Sequence, residues 1–128
     1  AGQRWAWDGV TFTMLWPQGG PGAGSSNGQS CVLRIDAGDT SALLTGDVEA
    51  PGERRLVDTA RDALAAQILV VPHHGSRTSS VEPFLDSVGP RVAVFPVGYL
   101  TSSAFRDPRS ALCSNALQGI GGALTFRL

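Results

Sequence analysis

Apolar and polar residues alternate along Val10-Thr11-Phe12-Thr13-Met14-Leu15, the period of a half-buried strand. Trp5 and Trp7 precede it at the same period, and Asp8-Gly9 between Trp7 and Val10 is a strong hairpin signal. Two further strands are predicted over residues 31–35 and 42–45, joined by a tight turn at Ala37-Gly38-Asp39 and so paired antiparallel. Leu56, Val57, Ala60 and Leu64 then recur at helical spacing behind Pro51, which suits a first helical turn because its missing N–H is not needed there. A short apolar run, Ile68 to Val71, reads as a buried strand. Ser79 and Glu82 have capping-box spacing ahead of Phe84, Leu85 and Val88, which sets a helix start near Ser80. Strands over 91–96 and 123–128 and a short helix over 108–117 complete the pattern. A β-meander followed by alternating helix and strand predicts an α/β fold, a mixed β-sheet with flanking helices.

Residues 17–28 are almost wholly Gly, Pro, Ser and Asn and read as a loop. Its glycines do not make a phosphate cradle, because neither Lys-Ser nor Lys-Thr follows them. At 128 residues the chain is one domain at most, and no apolar run reaches the roughly 18 residues that span a membrane. It opens on Ala1-Gly2-Gln3 and is expected to be a piece of something longer. Net charge is −1 and all ten basic residues are Arg, a balance that argues against tight non-specific nucleic-acid binding while leaving brief contact at an active site open. Cys31 falls in an apparent core strand, where a thiol acts as a small hydrophobe; pairing with Cys113 is an open alternative.

Chemistry concentrates at two strand ends. Leu43-Leu44-Thr45-Gly46-Asp47 ends one strand in a carboxylate, and Pro72-His73-His74-Gly75-Ser76 ends another in both histidines of the chain. Imidazole and carboxylate together suit zinc or manganese and suggest a hydrolytic site. Taken alone, Asp47 reads first as a turn or cap carboxylate, and the histidines serve as well in structure as in ligation. In an extended segment His73 and His74 would point to opposite sides, one toward a site and one toward a supporting contact. Ser79 and Ser80 read as starting the next helix. No Gly-x-Ser-x-Gly elbow is present, and two histidines with two distant cysteines lack the paired spacing of a structural zinc site.

The motifs in series are more specific than any one of them. Trp7-Asp8-Gly9-Val10, Leu15-x-Pro17, Ser26-Asn27-x-x-Ser30-Cys31-Val32-Leu33, Leu43-Leu44-Thr45-Gly46-Asp47 and Val71-Pro72-His73-His74-Gly75-Ser76-Arg77-Thr78-Ser79-Ser80 resemble the C-terminal metallo-β-lactamase-fold domain of ComEC-type DNA-internalisation competence proteins. The resemblance implies that residues 1–128 are the second half of an αββα sandwich cut from a multi-pass bacterial inner-membrane protein. That domain would lie on the outer side of the membrane, beside the channel portion of the same parent chain. It implies a metal-dependent nuclease that degrades the DNA strand not taken up, with Asp47 bridging metal. His73 and His74 would then serve as ligand or catalytic acid and as support. The alternative is a catalytically degenerate domain that guides DNA or docks on the channel.

Two departures from that family qualify the expectation. The His-x-His-x-Asp-His ligand element of the first half is absent, and Asp107 stands where a last histidine ligand is expected, leaving a carboxylate as the candidate ligand there. The chain by itself is therefore expected to bind a single divalent metal weakly or not at all, and to catalyse little. An incomplete sandwich also leaves apolar sheet surface or a strand edge uncovered, which predicts a homodimer or limited solubility for an otherwise soluble piece.

Overall fold

The computed structural model describes residues 1–18, 26–96, 116–118 and 124–127. Strand β1 (Arg4–Trp7) turns through Asp8-Gly9 into β2 (Val10–Trp16), with Trp5 opposite Phe12 and Trp7 opposite Val10. Both turn residues have positive φ, 49° at Asp8 and 77° at Gly9, as the predicted tight hairpin requires. β3 (Val32–Ala37) and β4 (Thr40–Leu44) continue the antiparallel meander, the register closing with Ala37 opposite Thr40. The chain then switches mode. Helix α1 (Ala50–Ala60) leads to β5 (Ile68–Val70), and α2 (Glu82–Val88) leads to β6 (Val92–Phe95), with β4, β5 and β6 parallel. β7 (Ala116–Gln118) and β8 (Leu124–Arg127) finish the mixed sheet in the order β1-β2-β3-β4-β5-β6-β8-β7.

The sheet has two unlike faces, because side chains alternate along every strand. On one face Leu43, Leu69 and Ala93 are only 0%, 1% and 2% exposed and form one core with Leu56, Leu64, Phe84 and Val88. Arg34 shares that face, chelating Asp36 and donating to the carbonyls of Ala63 and Ala65 beyond α1. The other face carries Phe12, Ile35, Ala42, Ile68 and Val92 in one row, and Met14, Leu33, Leu44, Val70 and Val94 in the next. None of these is buried. Among the described residues the helices therefore cover one side of the sheet, and an apolar face stands open on the other.

Several local expectations change. The capping box does not form: α2 starts at Glu82 behind Val81 and has no side-chain cap, while the Ser79 hydroxyl donates to the carbonyls of Pro72 and Ser76. Leu64 is buried but lies past α1, after a 3-10 turn over Arg61–Ala63. Cys31 precedes β3 and is exposed rather than part of the core. Ala116 and Leu117, expected to end a helix, lie in a strand. The remainder of that expected helix, Asp107, and the Cys31–Cys113 pairing fall outside the described residues.

Candidate functional site

Two loops meet at the C-terminal ends of the parallel strands β4 and β5. The first, residues 45–49, is turned by Gly46. Its φ is +54°, and a Cβ there would press on Ser30 Cβ at 3.3 Å and the Cys31 carbonyl at 3.4 Å. The turn is anchored below by the buried Thr45 hydroxyl, which donates to the Val70 carbonyl at 2.6 Å. It is anchored at the side by the Asp47 amide, which donates to Ser30 Oγ at 3.2 Å.

The second loop follows β5 and is not extended. His73 and His74 both lie in the left-handed region (φ 47°, ψ 43° and φ 55°, ψ 22°), and Gly75 follows at φ 80°. Left-handed backbone is unfavourable for residues with a Cβ, and outliers of this kind collect at functional sites. Gly75 is required twice over, since a Cβ there would stand 2.9 Å from the Phe95 ring. The expected opposite orientation of the two imidazoles is therefore corrected. Their ring centroids are 6.5 Å apart, and both side chains meet carboxylates of the first loop.

His74 Nε2 lies 3.5 Å from Asp47 Oδ1, while its Nδ1 lies 2.8 Å from the Pro96 carbonyl oxygen. A carbonyl only accepts, so Nδ1 carries a proton, and Nε2 is the nitrogen that faces the carboxylate. With Nε2 bare, two lone pairs would face one another at that distance, an arrangement that a shared cation or a proton on Nε2 relieves. His73 Nδ1 lies 3.4 Å from Glu49 Oε1 and 3.3 Å from Thr78 Oγ1. Asp47 and His74 thus face each other, and His73 lies beside His74 with its Nδ1 toward Glu49. Glu49 and Thr78 join them unanticipated, although the spacing Asp47-x-Glu49 on a sharp turn was the available signal.

The loops are locked by backbone as well as by side chains. The His73 amide donates to the Gly46 carbonyl at 3.0 Å, and the Ala50 amide to the Thr78 carbonyl at 2.9 Å. Deeper in, Glu53 of α1 is fully buried and accepts from the amides of Ser80 and Val81 at 2.6 and 2.7 Å. It thereby satisfies the start of α2 in place of the missing cap. Burial pushes the Glu53 carboxyl above its ordinary value, opposed by those two amides and by Arg54.

Donor chemistry can be set against a divalent metal. One carboxylate and two imidazoles are suitable ligands for zinc or manganese. Among the described residues, however, no group of three or more His, Cys, Asp or Glu side chains is arranged to hold an ion.

Among the described residues the molecule is thus a one-sided α/β layer that carries a histidine–carboxylate cluster at the ends of its parallel strands. No protein-family model matches the chain. Three relatives do. It is 45% identical over 112 residues to competence protein ComA of Neisseria gonorrhoeae, covering 88% of this chain and 16% of that protein. It is 41% identical over 98 residues to recombination protein 2 of Haemophilus influenzae (77% and 12%). It is 36% identical over 89 residues to ComE operon protein 3 of Bacillus subtilis (70% and 11%). The chain is homologous over most of its length to a segment of these proteins, and spans less than a fifth of each. No helix among the described residues is long and apolar enough to cross a membrane.

Proposed function

We propose that this chain is part of a competence protein for DNA uptake, and that it forms the second half of a metallo-β-lactamase-like αββα domain with metal-dependent phosphodiesterase activity on the strand not taken up. The names of two relatives support the competence role, those of the Neisseria and Bacillus proteins. The open apolar face supports the half-sandwich reading, since an upstream second sheet would cover it. The observation that carries the hydrolase reading is the pair His74 Nε2 and Asp47 Oδ1, 3.5 Å apart with Nδ1 already committed to Pro96.

In this reading Asp47 and His74 hold a divalent cation, zinc or manganese, with further ligands from the upstream half and from Asp107. A cation bound there would supply acidified water and charge neutralisation at a phosphodiester. The chain's own residues do the rest. Gly46 brings the Asp47 carboxylate over the strand ends. Pro96 holds the His74 ring with Nε2 outward. His73, partly exposed beside it, is placed to hand a proton to a leaving oxygen. DNA is a transient substrate, and the parent is a protein of the bacterial inner membrane with this domain on its outer side.

The test is cleavage of labelled DNA by the whole parent protein in manganese or zinc. Activity that disappears in Asp47→Ala and in His74→Ala, with folding intact, is expected. An intact parent that cleaves no DNA under these conditions, and a double variant that still supports transformation, would instead mark a non-catalytic domain that guides DNA or docks on the channel.

A further inference from the structure

Glu49 occupies the N-cap position of α1, yet its side chain makes no bond to that helix. The carboxylate turns the other way. Its Oε1 lies 3.4 Å from His73 Nδ1, accepts from Thr78 Oγ1 at 3.3 Å and accepts from Asn27 Nδ2 at 3.4 Å. Thr78 has a single hydroxyl proton, and its Oγ1 also lies 3.3 Å from His73 Nδ1. If that proton goes to Glu49, the Nδ1 atom faces two oxygens with no proton left between them, unless Nδ1 brings its own. If Thr78 donates to Nδ1 instead, a bare ring lone pair points at a carboxylate. The first arrangement is electrostatically favoured, and it requires Nδ1–H.

We propose that Glu49 is the positioning carboxylate of His73, selecting the Nδ1–H tautomer and so leaving Nε2 as the nitrogen that ligates or exchanges protons. The proposal rests on the reading of the histidine loop as the reacting centre. The second histidine reaches the same tautomer by another route, through the Pro96 carbonyl. The two imidazoles thus share one tautomer on a segment whose left-handed backbone brings both against the first loop, His74 through Nε2 and His73 through Nδ1. A ligand's other nitrogen is commonly held by a carboxylate or a carbonyl, which sets ring orientation and basicity. Here each histidine has one of the two.

Long-range nitrogen–proton NMR on the histidine-labelled chain reads the tautomers directly and without metal. The chain has only two histidines, so His74→Gln assigns both. The measurement is made near pH 8.5, about two units above the usual imidazole value. In the unsubstituted chain both rings are expected as Nδ1–H. In Glu49→Ala His73 is expected to shift to a majority of the Nε2–H form that free imidazole side chains favour, while His74 stays unchanged and reports that the loop is still folded. Glu49→Gln, which keeps an acceptor oxygen, is expected to retain most of the Nδ1–H form. An Nε2–H ring at His73 in the unsubstituted chain, or a tautomer indifferent to Glu49→Ala, overturns the proposal. A tautomer that responds in a parent that cleaves no DNA would leave the positioning role standing and remove the hydrolase reading instead.

Discussion

His74 reaches across from the loop after β5 so that its Nε2 stands 3.5 Å from Oδ1 of Asp47, on the loop after β4. The two residues are 27 positions apart and meet because β4 and β5 are adjacent and parallel, with Leu44 in register with Val70. Parallel neighbours deliver their C-terminal loops to the same edge of the sheet, which is where open α/β sheets bind ligands.

Manganese titrated into the labelled chain should broaden amide signals around Asp47 and His74 first, and those of His73 next. Binding should be weak, in the millimolar range or near it, because two or three protein ligands fill only part of a shell of about four. Asp47→Asn should remove the localised broadening. Uniform broadening, or none at millimolar metal, would show that this segment alone is not a metal site.

Glu53→Ala should destabilise the fold by about 2–4 kcal/mol, since it strands the Ser80 and Val81 amides next to a buried void. Urea unfolding gives the value. Loss of less than about 0.5 kcal/mol would mean that water or a neighbour replaces the carboxylate readily.

The same residue sets a pH dependence. Burial raises the folded-state pKa of Glu53 above 4.5, so between 4.5 and the raised value the folded chain holds a proton that the unfolded chain has lost. Its contribution is greatest below pH 4.5 and declines as pH rises through the folded value. The stability difference between the unsubstituted chain and Glu53→Gln should therefore move against the unsubstituted chain over that window. Unfolding curves from pH 4 to 8 check it, and a difference that is flat or moves the opposite way contradicts it.

Gly75→Ala should cost about 1–3 kcal/mol, from a φ of +80° and a Cβ 2.9 Å from the Phe95 ring. Adding Phe95→Leu should recover the clash but not the backbone term. A double-mutant cycle separates the two, and strict additivity would mean that the ring moves aside freely.

The open sheet face should make the isolated chain self-associate. Half-covered Ile35, Ile68, Val70, Val92 and Val94 each stand to gain about 1 kcal/mol on burial. Trp7, 77% exposed on the edge strand, extends the surface. Sedimentation velocity should show a concentration-dependent dimer that Ile35→Lys weakens. A monomer at high micromolar concentration would show that this face is tolerated in water.

Sequence alone determined the strands and helices wherever local physics suffices. Period-two alternation placed β2, Asp8-Gly9 set the hairpin, and Pro51 opened α1 within a residue or two of its observed start. It also singled out Asp47, His73 and His74, because few residue types bind metal and both histidines sit at one strand end. Tertiary structure decided what depends on contacts between distant segments. The helix start at Glu82 is held by a carboxylate 27 and 28 residues upstream of the amides it satisfies, so a local capping box was the natural but mistaken reading. The histidines both meet the first loop because their backbone is left-handed and the His73 amide is bonded to the Gly46 carbonyl, which no pattern within five residues encodes. Glu49 enters the site only because β4 and β5 lie side by side. Proximity between residues far apart in sequence is created by packing, and only the packed chain reveals it.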